Sequence, residues 1–374
     1  MRIRDVVLSP SLHRFSWLML LAAACGPDQP NEGPTAPPLE ARIKPPAAPS
    51  VVGQDLGVLP GDNQTSAFGV NDAGRVVGQS ADGQGNIRAF YWNGTLQALT
   101  TPGSRGAAYA ISSGTTEYAV GYEHLPGQEN RAVVWTLPSL VPAVLDPVGS
   151  NAYGVNDAGA VVGTYCFSGC GGSVTGWHGV IWVVGTSGRT DIPPLPGYVY
   201  GYATDINNDG LVVGASSGPV ATSERAYLRL TNGTLIALPP LAGFPNSTAE
   251  AISDIAGGQV YVAGFSRGDA IGSATRSMRW TVNATTGQIV ETVAPDQRYG
   301  VGVNLAGDVA GSGGSPSNPA ATLWKGGSYI ALKAPKGGSG SFARGLARAG
   351  GSPTYAVGET SIKNWPRALR WVIP

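Results

Sequence analysis

Asp205, Asn207 and Asp209, followed by Gly210, present side-chain oxygens at alternate positions, the spacing with which a calcium loop begins. The closing acid of such a loop is missing, because Ser216 stands where a glutamate belongs. The same step reads as a tight hairpin in which Asn and Asp bond their own backbone and Gly takes positive φ. Related steps at Asn71-Asp72-Ala73-Gly74 and Asn156-Asp157-Ala158-Gly159 favour the hairpin, since Gly69 and Gly154 replace Asp205 there. No cofactor is assigned, and calcium at Asp205, Asn207 and Asp209 is kept as the weaker alternative.

Cys166 and Cys170 form a close pair in a chain that carries an export leader, where such a pair is expected to close a small disulfide loop. A redox pair or a metal site are the alternatives. Metal is the weakest of them, because His178 is the sole neighbouring ligand type and two thiolates cannot complete a tetrahedral site. Acid–base chemistry has one candidate pair, Glu250 and Asp205, which a glycosidase or lyase would use as two carboxylates. Nucleophile elbows, zinc-binding His-Glu-x-x-His steps and phosphate loops are absent, and beyond the leader His124 and His178 are the only histidines. The chain is therefore expected to bind and not to catalyse, with a carbohydrate-active enzyme as the alternative.

What positions these residues is a repeat. A Val-Val-Gly or related step ends at Gly78, Gly121, Gly163, Gly214, Gly264, Gly311 and Gly358, with gaps of 43, 42, 51, 50, 47 and 47 residues. Each copy has four short β-type segments separated by Asn, Asp and Gly turns, as in Ala67 to Val70, Arg75 to Gly78, Arg88 to Trp92 and Thr95 to Leu99. The third segment ends in Trp in six copies, at 92, 135, 182, 280, 324 and 371, a large aromatic suited to filling the space between stacked sheets. Arg229 takes that place in the fourth copy, where a solvated or salt-bridged edge is expected. Four-stranded units of this length predict an all-β, seven-bladed β-propeller over 50–374. The last copy lacks a fourth segment and Val51 to Leu56 resembles one, so the N-terminal strand is expected to complete the last blade and shut the ring.

In the first segment one position varies among copies: Phe68, Tyr109, Tyr153, Thr204, Glu250, Val301 and Arg344. Two places later the residue is always aliphatic, as at Val70 and Ile252, and between them Gly or Ala is usual. With the first strand innermost, the variable set forms a ring near one mouth of the central channel. Aromatics beside one Glu and one Arg suit a sugar or peptide ligand. Alternatively, they plug the channel or pack between blades.

Arg2, Arg4 and Arg14 precede an apolar run from Phe15 to Ala24, too short to span a bilayer and typical of an export signal. Leu21-Ala22-Ala23-Ala24-Cys25-Gly26 resembles the lipobox of bacterial lipoproteins, although Leu is usual where Ala22 stands. This implies a signal peptide over 1–24 and lipid on Cys25. The next 24 residues, from Gly26 to Pro49, carry eight prolines and read with Cys25 as an extended tether. The expected location is the outer membrane, the cell surface or the periplasmic face, with the lipid as the membrane contact. Of 24 basic and 24 acidic residues, Arg2, Arg4, Arg14 and Asp5 leave with the leader, so the remaining chain is near −2. With neither a basic excess nor a basic stripe, nucleic acid is excluded as a partner, and a monomer is expected.

Over Gln54 to Trp371 the motifs resemble those of the HAF-repeat proteins, a bacterial group of extracellular repeat proteins. The resemblance rests on Asp55-Leu56-Gly57-Val58-Leu59, on Gly69-Val70-Asn71-Asp72-Ala73-Gly74-Arg75-Val76-Val77-Gly78 and on Arg88-Ala89-Phe90-Tyr91-Trp92. It returns in Gly154 to Gly163 and Ile206 to Gly214. The His-Ala-Phe tripeptide that names the group is replaced by Arg-Ala and an apolar residue. The group implies an extracytoplasmic repeat protein and carries no activity to transfer.

Overall fold

The computed structural model describes residues 49–374, apart from 101–102, 147–148, 168–175, 220–222, 269–273 and 316–317. Cys25, the leader and the tether lie outside the described residues, as does Cys170. Every named element is a β-strand, and the strands form seven sheets arranged as a ring, a seven-bladed β-propeller.

In blade 1 the strands are Gln64–Val70, Val76–Ala81, Ile87–Trp92 and Leu96–Ala98, antiparallel and in sequence order from the centre outward. Blades 2 to 6 repeat this plan, with first strands Arg105–Ile111, Ser150–Val155, Tyr200–Ile206, Asn246–Ile252 and Tyr299–Val303. Blade 7 supplies only Gly338–Leu346, Thr354–Ile362 and Trp365–Ile373 from its own copy. Consecutive first strands touch all round, including Gly338–Leu346 against Gln64–Val70, so they line the central channel.

The ring closes as the end segments imply, with one addition. Gln54–Asp55 pairs antiparallel with Arg370 and Leu369 as the fourth strand of blade 7. Just before it, Ser50–Val52 runs parallel to Ala331–Lys333 as a fifth strand on blade 6. The crossing point is Gly53, whose N–H donates to Lys333 O at 2.9 Å, the same carbonyl that accepts Trp371 Nε1–H at 2.9 Å. A Cβ on Gly53 would lie 2.9 Å from that indole nitrogen, so the crossing leaves no room for another residue type.

The tryptophans fill the space between blades. Trp135, Trp280 and Trp371 are fully buried, and each donates its Nε1–H to a carbonyl closing the fourth strand of the preceding blade: Leu99, Pro239 and Lys333. A buried indole thus gains apolar area and keeps its one donor paired. In blade 4, Arg229 is half-buried and donates to Leu230 O at 3.4 Å, while Leu211, Leu228 and Leu230 make up the apolar contact. The expected salt bridge at Arg229 is not among the described ion pairs.

The repeating Val-Val-Gly glycine has a steric cause. At Gly78, Gly121, Gly163, Gly214, Gly264, Gly311 and Gly358, an added Cβ would fall deep inside a carbonyl oxygen of the adjacent first strand. That carbonyl is pushed forward because the first strand is bulged just beyond it in every blade.

Candidate functional site

The residue skipped by each bulge is the variable one: Phe68, Tyr109, Tyr153, Thr204, Glu250, Val301 and Arg344. A bulge residue has no partner across the ladder, so its side chain is released from pairing constraints. The seven therefore share one backbone position, and their surroundings divide them into two sets.

On blades 1 to 3 the ring is filled. Phe68, Tyr109 and Tyr153 are buried together with Tyr122; ring centroids lie 5.5 Å apart for Phe68 and Tyr109, 5.5 Å for Tyr109 and Tyr153, and 5.9 Å for Tyr109 and Tyr122. Burial pushes the Tyr122 phenol up to about 12. Thr204, next round the ring, is also buried and donates its hydroxyl to Ala249 O at 2.9 Å.

On blades 5 to 7 the ring residues Glu250, Val301 and Arg344 are half-exposed. Arg344 Nη2 binds Glu359 Oε1 at 2.6 Å. Glu359 is buried, and its Oε2 has no hydrogen-bond partner among the described residues. Between blades 4 and 5, buried Glu224 accepts from Tyr202 OH at 2.5 Å, Thr248 Oγ1 at 3.0 Å and Arg267 Nη2 at 3.0 Å. Burial, then the charges of Glu224 and Glu250, hold the Tyr202 phenol well above its ordinary value. Half-exposed Phe265 meets half-exposed Tyr299 edge to face at 5.3 Å. Tyr299 is raised by burial, opposed by the Thr275 hydroxyl and by the charges of Arg298 and Arg267. A shallow groove of about 380 Å³ lies between blades 5 and 6, lined among others by Thr275, Arg276, Gln297 and Arg298.

The opposite end of the channel is tied off by hairpins between first and second strands. Asn71, Asn156 and Asn207 each bind their own hairpin through Oδ1, taking Arg75 N at 3.0 Å, Ala160 N at 2.9 Å and Leu211 N at 2.8 Å. Their Nδ2 groups reach the next blade, at Ser112 O, Asn207 O and Ser253 O, each at 3.0 Å. One residue on, a second circuit runs from blade to blade: Asp72 N to Ser113 Oγ, Ser113 N to Asp157 Oδ1, Asp157 N to Asn208 Oδ1 and Asn208 N to Asp254 Oδ1. Leu305 N to Arg348 O and Ala349 N to Asp72 Oδ1 carry it back to blade 1. At the junction of blades 5 and 6 the bridge is instead Arg279, which donates to Gly307 O at 3.0 Å and lies 4.9 Å over the Trp324 ring.

The calcium candidates belong to this tie. Asp209 Oδ2 takes Ile255 N at 2.9 Å, and Asn207 Oδ1 takes Leu211 N. Asp205 takes Ile206 N at 2.9 Å, Ile252 N at 3.0 Å and Arg348 Nη2 at 3.1 Å. Arg348 comes from blade 7 and reaches blade 4 across the ring, with Asp254 of blade 5 at 3.8 Å. Asp205 and Glu250 thus occupy different settings, one inside a junction of blades and one on the channel wall.

At the position that names the HAF group, Arg88 binds Asp62 and Arg131 binds Glu123 of the second strand, whereas blades 7 and 3 pair third and fourth strands. Arg367 binds Asp55 at 3.1 Å, and in the same register of blade 3 His178 Nδ1 binds Asp191 at 3.0 Å. Cys166, near by, is disulfide-bonded. This polar cluster escaped the sequence reading: Tyr202, Glu224, Thr248 and Arg267 are spread over four strands of blades 4 and 5. The signal present was the alternation of Tyr200, Tyr202 and Thr204 along one strand.

No family model matches the chain, and no curated protein matches it. Among solved structures it resembles a prolyl endopeptidase (TM-score 0.56, 17% identity, 83% of this chain and 47% of that one). It also resembles an oligogalacturonate lyase from Vibrio parahaemolyticus (TM-score 0.53, 14% identity, 86% and 96%) and an acylaminoacyl peptidase from Pyrococcus horikoshii (TM-score 0.51, 10% identity, 83% and 52%). The chain spans about half the length of the two peptidases, and at these identities the likeness is one of fold.

Proposed function

We propose that this chain is a non-catalytic binding module whose ligand, a glycan or peptide, enters the channel on the side of blades 4 to 7. The observation that carries this reading is the split of the ring: Phe68, Tyr109 and Tyr153 bury one another, while Glu250, Val301 and Arg344 are only partly buried, as are Phe265 and Tyr299 of blades 5 and 6. Aromatic edges with a few convergent polar groups are what a small-ligand site requires. The reading includes an HAF-repeat lipoprotein held at the bacterial outer membrane, cell surface or periplasmic face through lipid on Cys25, monomeric, with Cys166 and Cys170 as a disulfide. Supporting it are the repeat motifs, the leader and the Pro-rich tether. A glycan and peptide array probed with wild type and Glu250→Gln tests it. Binding weakened by the substitution, with the ligand recovered intact, is expected; product release that depends on Glu250 would overturn it.

A carbohydrate-active enzyme is the second reading, and one observation favours it. Glu359 keeps a buried oxygen without a partner among the described residues beside Arg344, the kind of poised carboxyl that acid–base chemistry uses. The oligogalacturonate lyase is a protein of the same fold. Turnover of a bound oligosaccharide that disappears in Glu359→Gln, with binding retained, would establish it.

A further inference from the structure

Single exposed aliphatic side chains are ordinary on a protein surface, but here their placement is one-sided. Because each blade is antiparallel, its connections alternate between the two faces of the disc: first-to-second hairpins and third-to-fourth turns share one face, and the remaining connections share the other. Leu140 and Val141 stand in a third-to-fourth turn, Val183 and Val372 at or beside the end of a third strand, and Ile255 and Leu305 in first-to-second hairpins. All six are exposed on the hairpin face, and they are spread over blades 2, 3, 5, 6 and 7. The opposite face has Phe167 and Trp365, and the three other exposed large apolar residues among those described lie on outermost strands. The N-terminal segment joins the disc from the hairpin face too. Ser50–Val52 runs parallel to Ser328–Lys333, a fourth strand that starts on that face, and Pro49 O accepts Ala331 N at 2.9 Å at the rim of blade 6.

We infer that the hairpin face is a membrane-contact face, on which the body rests against phospholipid headgroups beside its own anchor. The inference rests on the lipoprotein reading: lipid on Cys25 makes contact between this face and the bilayer intramolecular, so apolar contacts too weak to hold from solution suffice. Aliphatic groups on five blades each lose a little apolar area to the headgroup layer, and together they hold the disc flat where one contact would leave it tilted. A docked protein would need a contiguous apolar centre, which positions on five separate blades do not make. The same hairpins carry Asp72, Asp157, Asp209 and Asp254, so the lipid surface that suits them is zwitterionic and not anionic. With this face down, the opposite mouth of the channel turns away from the bilayer.

Neutron reflectometry of the lipidated chain on a supported phosphatidylcholine bilayer tests it. Protein density is expected to begin at the headgroups. In a Val141→Ser, Val183→Ser, Leu305→Ser triple variant it should begin beyond a hydrated gap on the order of 25 Å, the reach of a tether as long as Gly26 to Pro49. Phe167→Ser with Trp365→Ser, on the other face, should open no gap, and both variants should melt with wild type because the replaced groups are exposed. Phosphatidylglycerol in place of phosphatidylcholine should lift the wild type by repulsion from the hairpin acids, and raised salt should reseat it. A gap beneath the wild type on phosphatidylcholine, a triple variant seated as close as wild type, or lift-off of the Phe167 and Trp365 variant alone would each overturn the contact face. Equal or closer seating on phosphatidylglycerol would overturn the zwitterionic surface. Mass spectrometry of the membrane-extracted chain reads the anchor separately: Cys25 without lipid would overturn the lipoprotein reading, and the chain from Cys25 onward, joined through that thiol to a maleimide phospholipid, would still test the face.

Discussion

The two sides of the channel are built on one backbone and do opposite things with it. Every blade has the same bulge and the same glycine behind it, yet blades 1 to 3 bring aromatic rings together until they touch, and blades 5 to 7 place a carboxylate, a valine and a guanidinium there. A bulge residue is free of ladder pairing, so it can change type without disturbing its sheet. The difference teaches where this fold keeps its stability and where it keeps a surface. Three rings in contact serve as core, whereas the three side chains at the equivalent positions of blades 5 to 7 are only partly buried, one of them paired with a carboxylate and one packed on the neighbouring core.

The comparison breaks most sharply at Tyr109, which touches Phe68, Tyr122 and Tyr153. Tyr109→Ala is expected to cost about 3–5 kcal/mol in denaturant unfolding, as for other large-to-small core changes. The equivalent Val301→Ala should cost about 1 kcal/mol or less, and equal losses would erase the distinction between the two sides.

Alkali provides the next test. Tyr122 keeps its proton to about 12 when folded and to about 10 when unfolded, so its contribution is complete below pH 10 and is lost as pH rises from about 10 to 12. Thermal melts across pH 9 to 12 should show this loss, and Tyr122→Phe should reduce it by the share of this one phenol, those of Tyr202 and Tyr299 remaining. Arg348→Met removes the tie across the ring to Asp205 and Asp254, and an expected loss of about 1–2 kcal/mol follows from leaving two part-buried acids without their cation. The smallest effect belongs to Glu250→Gln, expected within about 0.5 kcal/mol of wild type; a large loss there would make the open side structural too.

Much of this was legible in the sequence. The seven glycines marked the blades because a close backbone approach tolerates no side chain, and the variable position stood out because its neighbours are small or aliphatic for packing reasons. The Asp-x-Asn-x-Asp-Gly step was ambiguous, since calcium loops and hairpin ties both need oxygens at alternate places; only the neighbouring blade reveals what those oxygens receive. Closure by the early segment was legible, but its division between blades 6 and 7 was not, because three residues of parallel pairing carry no pattern of their own. Arg348 was hidden for a similar reason: its partners lie 143 and 94 positions away, joined by curvature of the ring and by nothing local.

Ser50–Asp55 leaves the ribosome ahead of every other described strand, and the places it must fill, beside Ala331–Lys333 and Leu369–Arg370, are made only with blades 6 and 7. Until blade 7 emerges, a nascent chain therefore carries six nearly finished sheets and two raw edges, with a loop of the whole ring still to close. Those edges are where a growing chain would pair with the wrong neighbour, and the pairing of Gln54–Asp55 with Leu369–Arg370 is what retires the hazard.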